Sequence, residues 1–432
     1  MHPHRLARLK MILALYLTLL RKADSIVKSS LMEDRGYTLQ DLSSSDSAYL
    51  LSYTVSMVFS PTIPLPPNQL MALGMTGIAF TSYLKATASS PAVFVSLQVF
   101  HAAFQATGWP TCVRLLSVWM SGDLGVSRGT GMGLWTTCQS IGGVVGALLA
   151  TSFLASTGDA YTWHVPLLLA WACFCFFYIS EEPPGGGEAA AKVQTDVESG
   201  SSSPSKAATA PYVTFKAALL LPTVAITASS YFFLKFLRYS LLMWLPFYYK
   251  EGLKFSADEA GFLSATFELG GLVGTPLIGY VSDRYLHGRR DLAAAIFMGG
   301  ASSALLLAAA AGPLGKAANG ACMAAVGVLV IGPDSVLSGT IAQDIGLKNG
   351  LGPQGVGAVA GLMNGIGSLG AIFQSPATAY ISSEFGWRPL FYVFSMCAAV
   401  SSAILFYVCK NRRGSEIAIG GALCLMLLLE MF

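Results

Sequence analysis

Charged side chains are scarce in this chain. Asp, Glu, Lys and Arg make up 11% of its 432 residues, where soluble domains carry roughly 25%. A water-soluble globule so poor in charge would aggregate, whereas a surface solvated by lipid does not need it. Paired thiols are missing too. The eight cysteines sit almost entirely in apolar runs, form no CxxC, and keep no ligand spacing with the five histidines. They read as small apolar packing residues rather than disulfides or metal ligands. No histidine cluster or nucleophile motif points to an enzyme, and no cofactor is expected. The net charge of +3 is scattered, so nucleic acid is not an expected partner.

Apolar length is plentiful. The chain is 53% hydrophobic and holds 45 glycines, a composition suited to close packing of membrane helices. A bilayer-spanning helix needs about 20 mostly apolar residues. Such runs are predicted at 9–29, 45–61, 68–86, 91–119, 129–155, 160–179, 222–249, 258–281, 291–312, 317–340, 353–379 and 386–409. The first follows Arg5, Arg8 and Lys10 like a signal peptide, but Arg21 and Lys22 stand where a small-residue cleavage site would be, so a retained span is expected. The final apolar stretch, 417–432, is short. It reads as an interfacial segment or a fragment. The chain is therefore expected to be an all-α, multi-pass integral membrane protein with the lipid bilayer as its surroundings.

Residues 181–211 are rich in Gly, Pro and Ser and nearly free of large apolar side chains, which predicts a disordered linker. It divides the chain into an N-terminal six-helix bundle (1–180), a C-terminal six-helix bundle (212–410) and a tail (411–432). The halves carry a repeat. GTGMGLWTTCQSIGG from Gly129 matches GAVAGLMNGIGSLGA from Gly357, and Tyr16 to Arg21 matches Phe233 to Arg238. The two spacings (357 − 129 = 228; 238 − 21 = 217) differ by 11 residues. The first half is thus the shorter between its first and fifth spans. Loop cations, including Arg284, Arg289, Arg290 and Lys410, place both termini on the inner side by the positive-inside rule.

Three features carry chemistry. Charges inside spans are the sharpest, because a mid-bilayer cation costs several kcal/mol unless it faces a cavity or a partner. Arg21 lies deep in span one and Arg238 midway along span seven, at equivalent points of the repeat. Lys235 precedes Arg238 by one turn on the same face, and Lys22 points away from Arg21 as a helper or interfacial group. Without matching buried carboxylates, two guanidiniums would call for an anion, and the planar fork of Arg suits phosphate. A structural pair, such as Arg21 with Asp24, is the alternative. Second, GYVSDRYLHGRR between spans eight and nine supplies Gly279, Asp283, Arg284, Gly288, Arg289 and Arg290. Gly279 is expected to permit close helix approach, and Asp283 to pair with Arg or to hold a helix N-terminus. Third, the matching loop of the first half, MVFSPTIPLPPNQL, has no Asp or Arg and four prolines, Pro61, Pro64, Pro66 and Pro67. Span two is expected to be truncated or irregular there, through a real deletion or a faulty gene model.

The Gly, Asp-Arg, Gly-Arg-Arg order of the first loop resembles the loop signature of the major facilitator superfamily. RKADSIVKS, FQATGWPTCVRLLSVW, RGTGMGLW and LKFLRYSLLMWLPFY resemble the organophosphate–phosphate antiporters, most of all the eukaryotic glycerol-3-phosphate and sugar-phosphate exchangers. The resemblance runs over residues 9–409 apart from the proline-rich loop. It implies two six-helix bundles and alternating-access exchange of a phosphorylated metabolite for inorganic phosphate; separately, a monomer is expected. It also implies phosphate binding at Arg21 and Arg238. Some members carry a substrate-contacting His four residues after the span-five Trp; here Gln139 stands four after Trp135. The competing readings are a proton-coupled sugar or drug carrier, with Glu268 and then Asp334 as relay, and a non-transporting membrane sensor. Gly108, Trp109 and Pro110, and likewise Gly332 and Pro333, read equally as hinges or as packing positions.

Overall fold

A computed structural model describes residues 23–60, 63–108, 111–112, 128–179, 220–349 and 352–411; within these, the side chains of 58, 128–139, 343, 347, 348 and 352–358 lie outside the description. Span one therefore enters view only at its end. Residues 23–26 are helical, Val27 interrupts the helix, and α1 resumes at Lys28–Arg35. The first half continues with α2 (Leu39–Phe59), α3 (Pro67–Thr87), α4 (Pro91–Ala106), α5 (Arg128–Thr157) and α6 (Val165–Tyr178). The second half holds α7 (Pro222–Phe247), α8 (Ala257–Tyr285), α9 (Arg290–Ala311), α10 (Lys316–Ser338), α11 (Thr340–Lys348), α12 (Gly352–Glu384) and α13 (Trp387–Lys410). The short α11 is not expected from the apolar runs. The predicted linker, 181–211, and nearly all of the tail lie outside the described residues.

Five stretches are long and apolar enough to cross a bilayer on length and composition alone: Ser140–Thr157, Ala257–Tyr285, Arg290–Leu314, Lys316–Gly346 and Trp387–Lys410. Helices α2, α3, α7 and α12 are long enough as well, at 21, 21, 26 and 33 residues. Large apolar side chains such as Phe80, Phe177, Leu307 and Met396 point outward, where lipid rather than water solvates them.

The sequence repeat reappears in how helices start. Thr38 caps α2 and Ser256 caps α8, each in a reciprocal box with the acid three residues on, Asp41 and Glu259. The two helices then end differently. Helix α8 has 29 residues and α2 has 21, so α2 lacks the last two turns, where α8 carries Gly279 and Asp283. The reason is local: Pro61, Pro64, Pro66 and Pro67 disfavour helix at the residues before them, and α3 restarts with Pro67 in its first turn. The expected truncation of span two is what the structure contains.

Helices α7, α8, α9, α10, α12 and α13 pack into one bundle, with α8 against α10, α7 against α12 and α9 against α13 as its main pairs. In the first half α2 and α3 each pack on α4, and α3 on α6. Among the described residues, the main pairs joining the halves are α5 with α8 and α2 with α12. The repeat exchanges these two pairs, so the halves meet with approximate two-fold symmetry.

Candidate functional site

Helix α7 presents Tyr231, Lys235 and Arg238 along one face, at steps of four and three residues. Helix α12 reaches that face through glycine. A Cβ on Gly370 would stand 2.2 Å from Phe232 O, and one on Gly367 would stand 2.8 Å from Tyr231 Cδ1 and 3.1 Å from Lys235 Cδ. The close approach brings the Lys235 ammonium to Asn364 O (3.4 Å), Asn364 Oδ1 (3.3 Å) and Ser368 Oγ (3.3 Å). It also sits 4.7 Å from the Tyr231 ring centroid.

Arg238 lies one turn further along and forms an ion pair with Asp334 of α10, Nη1 to Oδ2. This corrects the expectation of guanidiniums without buried carboxylates. The Asp334 carboxylate also lies within reach of the Tyr231 hydroxyl on the same face of α7. Glu268 of α8 is buried nearby and lies, with Tyr231 and Tyr239, within electrostatic reach of Arg238. Glu268 also touches the other half: a Cβ on Gly143 of α5 would stand 2.8 Å from its Cδ. The arrangement is a buried polar cluster of two cations and two acids at mid-helix depth.

The matching positions of the first half are less completely in view. Arg21 and Lys22 lie outside the described residues, as do Trp109 and Pro110; Gln139 lies in α5, one turn before Gly143, with its side chain outside the description. What the first half does contain was missed by the sequence reading. Lys85 of α3 is fully buried and bonds Asp24 Oδ1 (2.8 Å) and Gln98 Oε1 (3.0 Å), while the Tyr161 hydroxyl donates to the same Asp24 oxygen (2.9 Å). Asp24 is thus engaged by Lys85. His101 contacts Thr81 Oγ1 (3.0 Å) and His164 contacts Ser82 Oγ (3.1 Å) beside this network. The available signal was the presence of Asp24, Lys28, Asp46 and Lys85 at span ends, where a long cation reads as snorkelling to the interface.

A second missed cluster crosses between halves. Lys28 pairs with Asp46, and the same Asp46 oxygen accepts from Ser375 Oγ at 2.7 Å. Trp244 donates its indole N–H to Ser375 (3.0 Å) and stacks under the Lys28 ammonium at 3.7 Å. Lys28 and Asp46 belong to the first half, Trp244 and Ser375 to the second. All lie toward the end opposite the α8–α9 loop. There Lys250 also pairs with Glu33 at 2.7 Å, and Ser47 donates to Ile372 O at 3.3 Å.

At the α8–α9 loop, Gly279 has nothing within 4 Å of a built Cβ, so it does not mediate a close helix contact. Gly270, Gly274 and Gly327 take that role between α8 and α10, where added Cβ atoms would fall 2.0–2.3 Å from Ala324 O, Val328 O and Phe267 O. Gly332 also packs against Gly274 O, at 2.8 Å. Asp283 and Arg284 are exposed, and Asp283 forms no ion pair among the described residues. Gly288 adopts φ +75°, a left-handed turn that favours glycine. Arg289 leads into α9, and Arg290 pairs with Asp344 of α11 at 3.2 Å.

The chain resembles known proteins along most of its length. A chain of Arabidopsis thaliana that bears the name of a glycerol-3-phosphate transporter is 30% identical over 86% of this chain and 75% of its own. A glucose-6-phosphate exchanger of Xenopus laevis is 29% identical, over 87% of this chain and 82% of its own. Among solved structures, the nucleoside transporter NupG superposes with a TM-score of 0.65, covering 94% of this chain and 99% of the other at 14% identity, a likeness of fold. The Major Facilitator Superfamily matches residues 13–352. With its two joined helical halves and its apolar exterior, this chain belongs to that superfamily and is a multi-pass integral membrane protein.

Proposed function

We propose that the chain exchanges a phosphorylated metabolite, glycerol-3-phosphate or a sugar phosphate, for inorganic phosphate by alternating access. The observation that carries this reading is the pair of mid-span cations on one face of α7, Lys235 and Arg238. They occur in a chain whose relatives are named for phosphate esters. Arg21 of the first half is the second arm of the clamp, and Gln139 and Lys22 contribute polar contacts. One phosphate held from both halves links closure to occupancy, so exchange is favoured over one-way release. The bundles are read as 1–180 and 212–410, with both termini on the inner side. The α8–α9 loop, Gly279 to Arg290, would help gate the inner end, and a monomer suffices.

Liposomes preloaded with labelled phosphate and diluted into a panel of phosphate esters test the reading. Efflux driven by an external ester supports it. Efflux indifferent to every ester removes it. The second reading, a proton-coupled carrier, draws on Glu268, buried at the α5–α8 contact. It requires uptake of a neutral solute that collapses with the proton gradient.

A further inference from the structure

We propose that Asp46 is a proton-binding site whose protonation loosens the outer contact between the halves. The inference does not depend on what the carrier transports. Asp46 lies about two turns into α2. Its side chain is 5% exposed and that of its partner Lys28 is 3% exposed. One oxygen, Oδ2, serves both halves. It pairs with the Lys28 ammonium of the first half and accepts from Ser375 Oγ of the second half at 2.7 Å. The bond from Ser375 is charge-assisted only while Asp46 is ionised, and such bonds are roughly twice as strong as neutral ones. The charge on one buried carboxylate therefore sets the strength of a contact that joins α2 to α12.

The surroundings let a proton enter without stranding the groups that Asp46 holds. Burial penalises both charges of such a pair, and neutralising the acid alone normally leaves a bare buried cation. Here Lys28 has two further supports. The Trp244 ring lies 3.7 Å from its ammonium, and Asp24, four residues earlier, is within electrostatic reach. Ser375 likewise keeps the indole N–H of Trp244, at 3.0 Å. The ionisable groups around Asp46 lie on the first half. Lys28 and Asp24 face it from the α1 side, and Asp24 is itself held by Lys85 of α3. Helix α4 offers His101, packed on the ring of Tyr49 one turn further along α2. From α7 and α12 the groups in this cluster, Trp244 and Ser375, carry no charge. Protonation of Asp46 thus takes a charged hydrogen bond out of the contact between halves and puts a neutral one in its place.

Spin labels at Gln40→Cys and Ser383→Cys test the idea on the purified full chain in nanodiscs, in phosphate-free buffer and with the native cysteines replaced. Both positions are exposed, one at the start of α2 and the other at the end of α12. Between about pH 7.5 and about pH 5.5 the population with separated labels should rise about fivefold, the change expected when a charged hydrogen bond becomes neutral. Asp46→Asn is uncharged at both pH values, so its labels should be separated at both and should not respond. If Asp46→Asn does not fold because Lys28 is stranded, Lys28→Met together with Asp46→Asn removes both charges and carries the same expectation. Glu33→Gln and His101→Gln should keep the wild-type response. A wild-type label distance that ignores pH overturns the proposal. So does a pH response that survives in Asp46→Asn or in the double variant. Loss of the response in His101→Gln or Glu33→Gln overturns it as well, because the proton would then reside on that side chain instead.

Discussion

Arg238 is legible in the sequence as a cation in the middle of an apolar span, but its partner is not. Asp334 lies 96 residues away, and only the packing of α7 beside α10 brings the two together. Burial makes the chemistry of the fork matter, because in a low-dielectric site a guanidinium and an ammonium differ in geometry more than in charge. Replacing Arg238 or Arg21 by Lys keeps the charge and loses the fork. Either change should weaken phosphate binding in the liposome assay by about 1.5–3 kcal/mol, the scale of hydrogen bonds to charged groups. Wild-type affinity in either variant would make the arginines structural and would move the proton-coupled reading ahead.

At the scale of elements, the α8–α10 contact depends on glycines that the motif reading passed over. Gly327 lies against Phe267 O and Gly270 against Ala324 O, each at 2.0 Å from a built Cβ. Backbone cannot yield as a side-chain tip can. Gly327→Ala should therefore destabilise the second half by about 1–3 kcal/mol, as overpacking does, read as a lower unfolding temperature. Gly279→Ala, with open space around it, should change stability by less than about 0.5 kcal/mol. A larger loss at Gly279 than at Gly327 would contradict this account of the packing. The proline-rich α2–α3 connection belongs to the same scale. Transcript sequencing will return either about eleven further codons with a Gly and an Asp-Arg pair, from the repeat argument, or the sequence as written. The first outcome identifies a faulty gene model, the second a real deletion.

For the whole molecule, the described contacts between halves run from mid-helix toward the end opposite the α8–α9 loop: Gly143 with Glu268, Thr151 with Gly261, Asp46 with Ser375 and Glu33 with Lys250. Alternating access requires contacts such as these to open once per cycle. Glu33→Cys with Lys250→Cys, joined by a short thiol-reactive bridge, should stop phosphate exchange, and cleaving the bridge should restore it. Exchange that continues at full rate in the bridged protein would rule out separation of the halves at that end.

The sequence by itself determined the placement of most spans, because bilayer thickness dictates apolar run length and a cluster of prolines marks where span two ends. It also determined the two-fold repeat and the depth of Arg238. It did not determine which charges meet. Asp24 with Lys85, Lys28 with Asp46 and Arg238 with Asp334 join residues 18 to 96 positions apart, and helical periodicity carries no information about which face of one helix meets another. Only the tertiary structure decided those pairs, because in a membrane interior a charge is stable only where packing supplies its opposite.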